Sequence, residues 1–264
     1  MTSEPCGSAW FTLEGVTVNY GNGAALDGVD LRIEPGEAVA FVGPSGAGKT
    51  TLLNVLAASL RPDRGSVAVN GRLLHTLGFQ ELREARACIG FVHQDLSLVP
   101  NVRVIKNVLA GQLGRLSFLS SLRLMLYPPR TAVVRSHALL DRVGIGGKLY
   151  ERTDRLSGGQ RQRVALARAL FQEPGAILAD EPVSSVDPAR ARDMIALLRS
   201  VCDEQRLTLL ASLHDLDLAR EFFPRLVGLR RGAVAFDSPA SELDGAAFEE
   251  LYSLQADEML SDAG

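Results

Sequence analysis

Cysteine is scarce: Cys6, Cys88 and Cys202 are the only three in 264 residues, far apart, with no CxxC pair and no histidine at metal-ligand spacing. That pattern offers no thiolate zinc site, and a reducing compartment fits it best. Charge of one sign is lacking too. The 28 Lys+Arg and 31 Asp+Glu leave a net charge of -3, which exerts no global pull toward nucleic acid, even with the basic run 161–168. No nucleic-acid partner is expected. Long apolar runs are absent: the most lipid-like window, 109–127, is interrupted by Gln112, Arg115 and Arg123, so nothing approaches about 18 uncharged apolar residues. Any membrane role must therefore come through partner subunits. The start, Met1-Thr2-Ser3-Glu4-Pro5, lacks the basic residues and the following apolar stretch of a secretory signal, and the chain is expected to stay in the cytoplasm. Internal repeats and low-complexity linkers are missing as well.

What is present is 46% apolar and 22% charged, the balance of a globular chain with a substantial core, either one domain with a sub-lobe or two small domains. The spacing predicts strands over 11–18 and 26–33, then a short buried strand over 38–42 bounded by Gly-Pro chemistry. A helix over 49–58, strands over 66–69 and 89–93, and a helix over 132–143 follow. Then come a strand over 177–179, a helix opening at Pro188, a strand over 207–212 and a helix over 216–222. This βα rhythm, running to about residue 236, is that of a mostly parallel sheet covered on both faces. Residues 95–160 break it, being helical in pattern without strand runs, and read as a helical lobe inserted into an α/β core.

Two local motifs carry chemistry. Gly43-Pro44-Ser45-Gly46-Ala47-Gly48-Lys49-Thr50 satisfies G-x-x-x-x-G-K-[ST] between a buried strand and a helix, with Thr51 next in line. Glycines let successive N–H groups converge on one point where the helix N-terminus adds positive potential. Lys49 then reaches the β- and γ-phosphates, and the Thr50 hydroxyl suits Mg²⁺. The motif alone says P-loop NTPase. Ala176-Ile177-Leu178-Ala179-Asp180-Glu181 is an apolar strand ending in adjacent carboxylates, which alternation places on different sides. Asp180 suits the metal, and Glu181 suits accepting a proton from an attacking water. Without a P-loop, the same pair would read as an acidic N-cap or turn.

Leu156-Ser157-Gly158-Gly159-Gln160, followed by Arg161-Gln162-Arg163-Val164-Ala165-Leu166-Ala167-Arg168-Ala169-Leu170, resembles the signature motif and helix of the ABC transporter ATPases. From the residues themselves, Ser157 and Gln160 form an S-x-x-Q capping box, and the paired glycines leave the helix N-terminus open to an anion. P-loop, glutamine loop, signature and paired carboxylates stand in the family's order. The resemblance covers about 11–236 and implies a P-loop NTPase (RecA-like) α/β core with a mostly parallel sheet, an N-terminal antiparallel β-subdomain and an inserted helical subdomain. On that pattern an ATPase domain spans 11–240, with its core in 11–94 and 161–240 and the helical subdomain at about 95–160. A short helical tail follows over 241–264, with no room for a regulatory C-terminal domain. The resemblance also implies a head-to-tail homodimer in which Ser157 and Gly159 meet the γ-phosphate held by the opposite subunit. Tyr20 matches the aromatic that stacks on adenine, and Gln94 the glutamine that senses Mg²⁺ and water and links to the membrane subunits. Asp187, an N-cap before Pro188, matches the loop crossing the dimer interface, and His214 matches the switch histidine at the γ-phosphate. His75, His93 and His137 are left as structural or surface residues. Thr50 stands where serine is commoner, and Ser185-Val186 replace the usual Ala-Leu; neither removes a needed group.

Within the family the chain is most similar to ATP-binding subunits of bacterial phosphonate importers. Asn107-Val108-Leu109-Ala110-Gly111, the insertion through Leu126-Tyr127, Ile177-Leu178-Ala179-Asp180-Glu181-Pro182, the run from Ser212 to Glu221, and Phe248-Glu249-Glu250-Leu251-Tyr252 carry that likeness. These stretches report lineage, because none meets the cargo. The resemblance implies ATP and Mg²⁺ as ligands, transmembrane permease subunits and indirectly a periplasmic solute-binding protein as partners, and a peripheral place on the cytoplasmic face of the inner membrane. Leu113, Leu116, Phe118, Leu119, Leu122 and Leu124 either line the permease-docking groove or form sub-lobe core. Other cargoes (phosphate, amino acid, lipoprotein release) are the first alternative. A soluble ABC ATPase of translation or DNA repair is the second, against which stands the lack of a second cassette or a long coiled-coil insertion.

Overall fold

A computed structural model describes residues 11–21, 23–183, 187–243, 248 and 251–252. The strands are β1 (Phe11–Tyr20), β2 (Gly23–Ile33), β3 (Ala38–Val42), β4 (Arg64–Val69), β5 (Arg72–Leu73), β6 (Ile89–Val92), β7 (Ala176–Asp180), β8 (Thr208–Ser212), β9 (Arg225–Arg230) and β10 (Ala233–Pro239). The α-helices are α1 (Lys49–Leu56), α2 (Phe79–Ala87), α3 (Val104–Leu109), α4 (Phe118–Leu126), α5 (Arg130–Arg142), α6 (Gly158–Phe171), α7 (Pro188–Gln205) and α8 (Leu216–Phe222). The expected elements stand within three residues of their predicted ends, the widest gap being at β2, which starts at Gly23 and not at residue 26. The helical tail expected over 241–264 lies largely outside the described residues.

Two sheets organise the chain. An antiparallel sheet runs β2-β1-β4-β5, and a six-stranded sheet runs β10-β9-β3-β8-β7-β6, parallel except for the edge strand β10. The P-loop NTPase core and the N-terminal antiparallel sheet are thus both present. Strands β3, β7 and β8 are buried at every position because their side chains alternate between two cores. Ala38, Ala40 and Val42 face a core built with α3, α5, α6 and α7, while Val39 and Phe41 face one shared with α1 and the antiparallel sheet. Each fully buried Phe or Leu in these layers contributes about 1.5–3 kcal/mol relative to exposure. Layers on both sides of the parallel sheet fix its strand ends in space.

Residues 95–160 hold α3, α4 and α5, with the short bridge Arg103↔Arg152 as their only β pairing among the described residues. Helix α6 begins at Gly158, so the 160/161 division read from sequence passes through its first turn. The six apolar residues of the insertion divide. Leu124 is buried and Leu113 and Leu116 pack on the core, whereas Phe118, Leu119 and Leu122 are exposed at 79%, 76% and 46%. Among the described residues no helix is long and apolar enough to cross a membrane.

Cys202 is fully buried on the inner face of α7, and burial pushes its thiol up to about 12. At pH 8 the thiolate is then on the order of one part in ten thousand, and only the thiolate reacts. Site-resolved mass spectrometry after iodoacetamide at pH 8 is expected to find Cys202 unmodified in the folded protein and alkylated in urea. Rapid modification without denaturant would contradict this packing.

Candidate nucleotide site

The carboxyl ends of four adjacent parallel strands converge, the place where open α/β sheets put their ligands. β3 leads into the glycine loop and α1, β6 into Gln94, β7 into Asp180 and Glu181, and β8 into Ser212 and His214. A cavity of about 370 Å³ opens there, lined by Ala25, Ser45, Gly46, Ala47, Gly48, Lys49, Thr50, Thr51, Gln94, Glu181 and His214.

Gly48 caps α1 with φ 103, and a Cβ at that position would stand 2.4 Å from the Ala25 carbonyl oxygen. Only glycine lets the loop close against β2 there. The Lys49 ammonium turns back inside the loop and donates to the carbonyls of Gly43 at 2.7 Å and Pro44 at 2.9 Å. Burial holds its pKa below the usual lysine range, with attraction to Glu181 and Asp180 opposing. A desolvated ammonium above converging N–H groups is a strong anion receptor.

Buried Asp180 accepts a hydrogen bond through Oδ1 from the Ser212 hydroxyl at 2.7 Å, and the Thr50 hydroxyl donates to the same oxygen at 3.2 Å. Ser212 Oγ in turn accepts from the Glu181 N–H at 2.8 Å. Glu181 lies outside β7 with φ 45, a left-handed backbone that costs about 1 kcal/mol or more for a non-glycine residue. That turn, and not strand alternation as the sequence implied, separates the two carboxylates. Gln94 Nε2 donates to Glu181 Oε2 at 3.0 Å, and His214 Nε2 contacts Oε1. The Glu181 carboxylate is therefore gripped from two sides while facing the cavity.

Behind Gln94 the chain passes through two left-handed residues, Leu96 and Ser97, whose carbonyls accept from Arg168 of α6 at 2.9 and 2.6 Å. Asp95 Oδ1 accepts from the Ser97 hydroxyl and N–H, and the hydroxyl bond first of all holds this carboxyl below its usual range. His93 stacks on Phe91 with ring centroids 4.2 Å apart, and His137 pairs with Asp141.

The remaining predicted residues stand elsewhere on the surface. Ser157 Oγ accepts from the Gln160 N–H at 3.3 Å and Gln160 Oε1 accepts from the Ser157 N–H at 3.1 Å, closing the expected capping box. Ser157 and Gly158 are exposed and Gly159 and Gln160 half-buried, and none of the four lines the cavity. Asp187 caps α7 through the Arg190 N–H at 3.1 Å, away from the cavity lining. Tyr20 ends β1, is 56% exposed and also lies off that lining. Ser185 and Val186 lie outside the described residues. Sequence reasoning passed over Ser212 as a site residue; the available signal was a hydroxyl closing the buried apolar run of β8.

The ABC transporter family model matches residues 26–184. A phosphonates import ATP-binding protein of Pseudomonas aeruginosa (strain UCBPP-PA14) is 47% identical over 92% of this chain and 90% of its own length. One of Halalkalibacterium halodurans is 42% identical over 90% of this chain and 92% of its own. Among solved structures, an ATP-binding cassette captured as a dimer in a post-hydrolysis state with ADP and Pi superposes with a TM-score of 0.69. It is 31% identical, over 87% of this chain and 98% of that one. The ADP conformation of another ABC transporter cassette gives 0.78 at 25% identity, over 93% and 98%. Strand order, phosphate loop, paired carboxylates and relatives agree: the chain belongs to the ABC transporter family, as one of its ATP-hydrolysing cassettes.

Proposed function

We propose that two copies of this chain, head to tail, form the motor of an importer for phosphonates or related phosphorus oxyanions on the cytoplasmic face of a bacterial inner membrane. The observation that carries the catalytic reading is the Glu181 carboxylate, held between Gln94 and His214 in one cavity with Lys49. ATP occupies the Gly43 to Thr51 cradle, with Tyr20 against the adenine. Lys49 turns from its loop carbonyls to the β- and γ-phosphates, stabilising the charge that spreads over the transferred group. Glu181 takes the proton of the attacking water, which Gln94 and His214 orient.

Thr50 Oγ1 and Asp180 Oδ1, two hard oxygen donors 3.2 Å apart beside the cavity, fit a divalent magnesium ion, with Gln94 as a further oxygen donor. When bound, Mg²⁺ neutralises charge on the β- and γ-phosphate oxygens. The signature turn, Ser157 to Gln160, is at least partly exposed and outside the lining of its own chain's cavity, which suits contact with the γ-phosphate held by the second copy. Asp187 then sits at that dimer interface. Closure of the pair on ATP drives the permease, and hydrolysis lets the pair reopen. The exposed Phe118, Leu119 and Leu122 of the helical lobe form the face offered to the permease subunits.

The cargo assignment is supported by relatives 42–48% identical over most of the chain whose names are those of phosphonate importers. A deletion strain grown with methylphosphonate as sole phosphorus source is expected to stop growing while keeping wild-type growth on phosphate. Unchanged growth on both removes phosphonate as cargo, and loss on both points to phosphate.

A further inference from the structure

Gly43, the first residue of the phosphate loop, has φ 149, and a Cβ there would lie 2.1 Å from the Leu229 carbonyl oxygen. The two peptide groups that flank its Cα are each held. The carbonyl accepts from the Lys49 ammonium, and the N–H donates to the hydroxyl of Tyr252 at 3.2 Å. Tyr252 is 209 residues away in sequence, so this contact is built by the tertiary fold.

An aromatic shelf delivers it. Val42 is in register with Gly228 on β9, and Gly228 faces Phe236 on β10. Phe236 meets Phe248 edge-on at 5.9 Å between centroids, and the Arg220 guanidinium lies 5.6 Å from the Phe248 ring while donating to the Leu243 carbonyl at 3.2 Å. Leu243, Phe248 and Leu251 are buried in the same core as Val42. Tyr252 packs against that core with only its hydroxyl committed to the loop. Burial holds the phenol above its usual range, so it stays a neutral hydroxyl at physiological pH.

We propose that Tyr252 is a positioning residue for the phosphate-binding loop: its hydroxyl fixes the Gly43 peptide so that the loop is set for a triphosphate before one arrives. The inference rests on the ATP-binding reading of the cavity. Lys49 is one clamp on Gly43, but its ammonium is also what a phosphate recruits. Pro44 brings no N–H of its own. Once Lys49 turns to the ligand, the Tyr252 hydroxyl remains as the side-chain anchor on Gly43. A loop already held pays less ordering entropy on binding.

The test uses the full chain with Tyr252→Phe, which removes the hydroxyl and keeps the ring on its shelf. The KM and Kd for MgATP are expected to rise about 3- to 10-fold, the weight of one neutral hydrogen bond. At saturating ATP, kcat stays within about twofold, and the unfolding midpoint without nucleotide falls by no more than about 4 °C, as loss of one hydrogen bond from the empty fold requires. Unchanged KM, or a lowered midpoint with unchanged KM, overturns the proposal by leaving Tyr252 only structural. Lys49→Ala measured alongside separates the two ideas. Lost ATP affinity in Lys49→Ala with none lost in Tyr252→Phe rejects the tyrosine alone. Unchanged affinity in both rejects the nucleotide site itself.

Discussion

Replacing Glu181 by glutamine is expected to slow steady-state ATP turnover by about 10²- to 10⁴-fold, the usual worth of a positioned general base. That corresponds to about 3–5 kcal/mol of barrier. The substitution is nearly isosteric. The left-handed backbone and the N–H bond to Ser212 remain, and the glutamine carbonyl can still accept from Gln94. What disappears is proton acceptance and one negative charge facing the γ-phosphate site. Losing that charge favours ATP, since a carboxylate beside a polyphosphate is repulsive. Binding therefore persists while hydrolysis stops, and the nucleotide-bridged pair accumulates. Phosphate release measures the first effect. Size-exclusion chromatography in MgATP measures the second, with the variant eluting at twice the monomer mass. Equal turnover in the two proteins would remove Glu181 from the base role.

The sequence was most readable where structure is set locally. Strands β3, β7 and β8 are short apolar runs between turn residues, and their burial on both faces leaves nothing but apolar side chains to see. The phosphate loop and the Ser157 capping box are defined by neighbours a few residues apart, so their spacing is their geometry. Helix α2 was missed because its buried face is only Leu82, Ala85 and Ala87. Its place is set partly by Arg83 donating to the Gly114 carbonyl from 31 residues away. Edge strand β10 escaped for a related reason: half-buried positions alternate with exposed ones, and its partner is known only once β9 is in the sheet. At the site, Glu181 is aimed by a backbone conformation, and Ser212 ties two carboxylate-bearing residues from a different strand. The first has no local pattern to read, and the second shows in sequence only as a hydroxyl closing an apolar run. The apolar residues of the insertion show the same limit, since periodicity cannot say that Leu124 turns inward and Phe118 outward.

Lys49→Ala is expected to weaken MgATP binding strongly while leaving the empty fold almost as stable as before. The two halves have different causes. In the empty protein the ammonium contributes two hydrogen bonds to the loop carbonyls and attraction to Glu181 and Asp180, but its burial carries a desolvation cost, the largest influence on its pKa. Charge-assisted hydrogen bonds contribute about 1.5–3 kcal/mol each before such costs, and an ion of this kind costs several kcal/mol to bury. The terms nearly cancel, so the midpoint without nucleotide should move by no more than about 4 °C, roughly 1 kcal/mol for a chain of this size. With nucleotide the balance changes, because the phosphates offer the same buried ammonium a full opposite charge. Losing that contact should weaken binding by at least about 30-fold, or 2 kcal/mol. The discriminating measurement is thermal unfolding with and without MgATP. At a ligand concentration 100 times its Kd the wild-type chain gains about 2.7 kcal/mol, or roughly 5–10 °C. The variant at that same concentration should gain about 1 kcal/mol at most. An equal nucleotide-induced shift in both proteins would mean that Lys49 does not touch the phosphates, and the cradle assignment would fall with it.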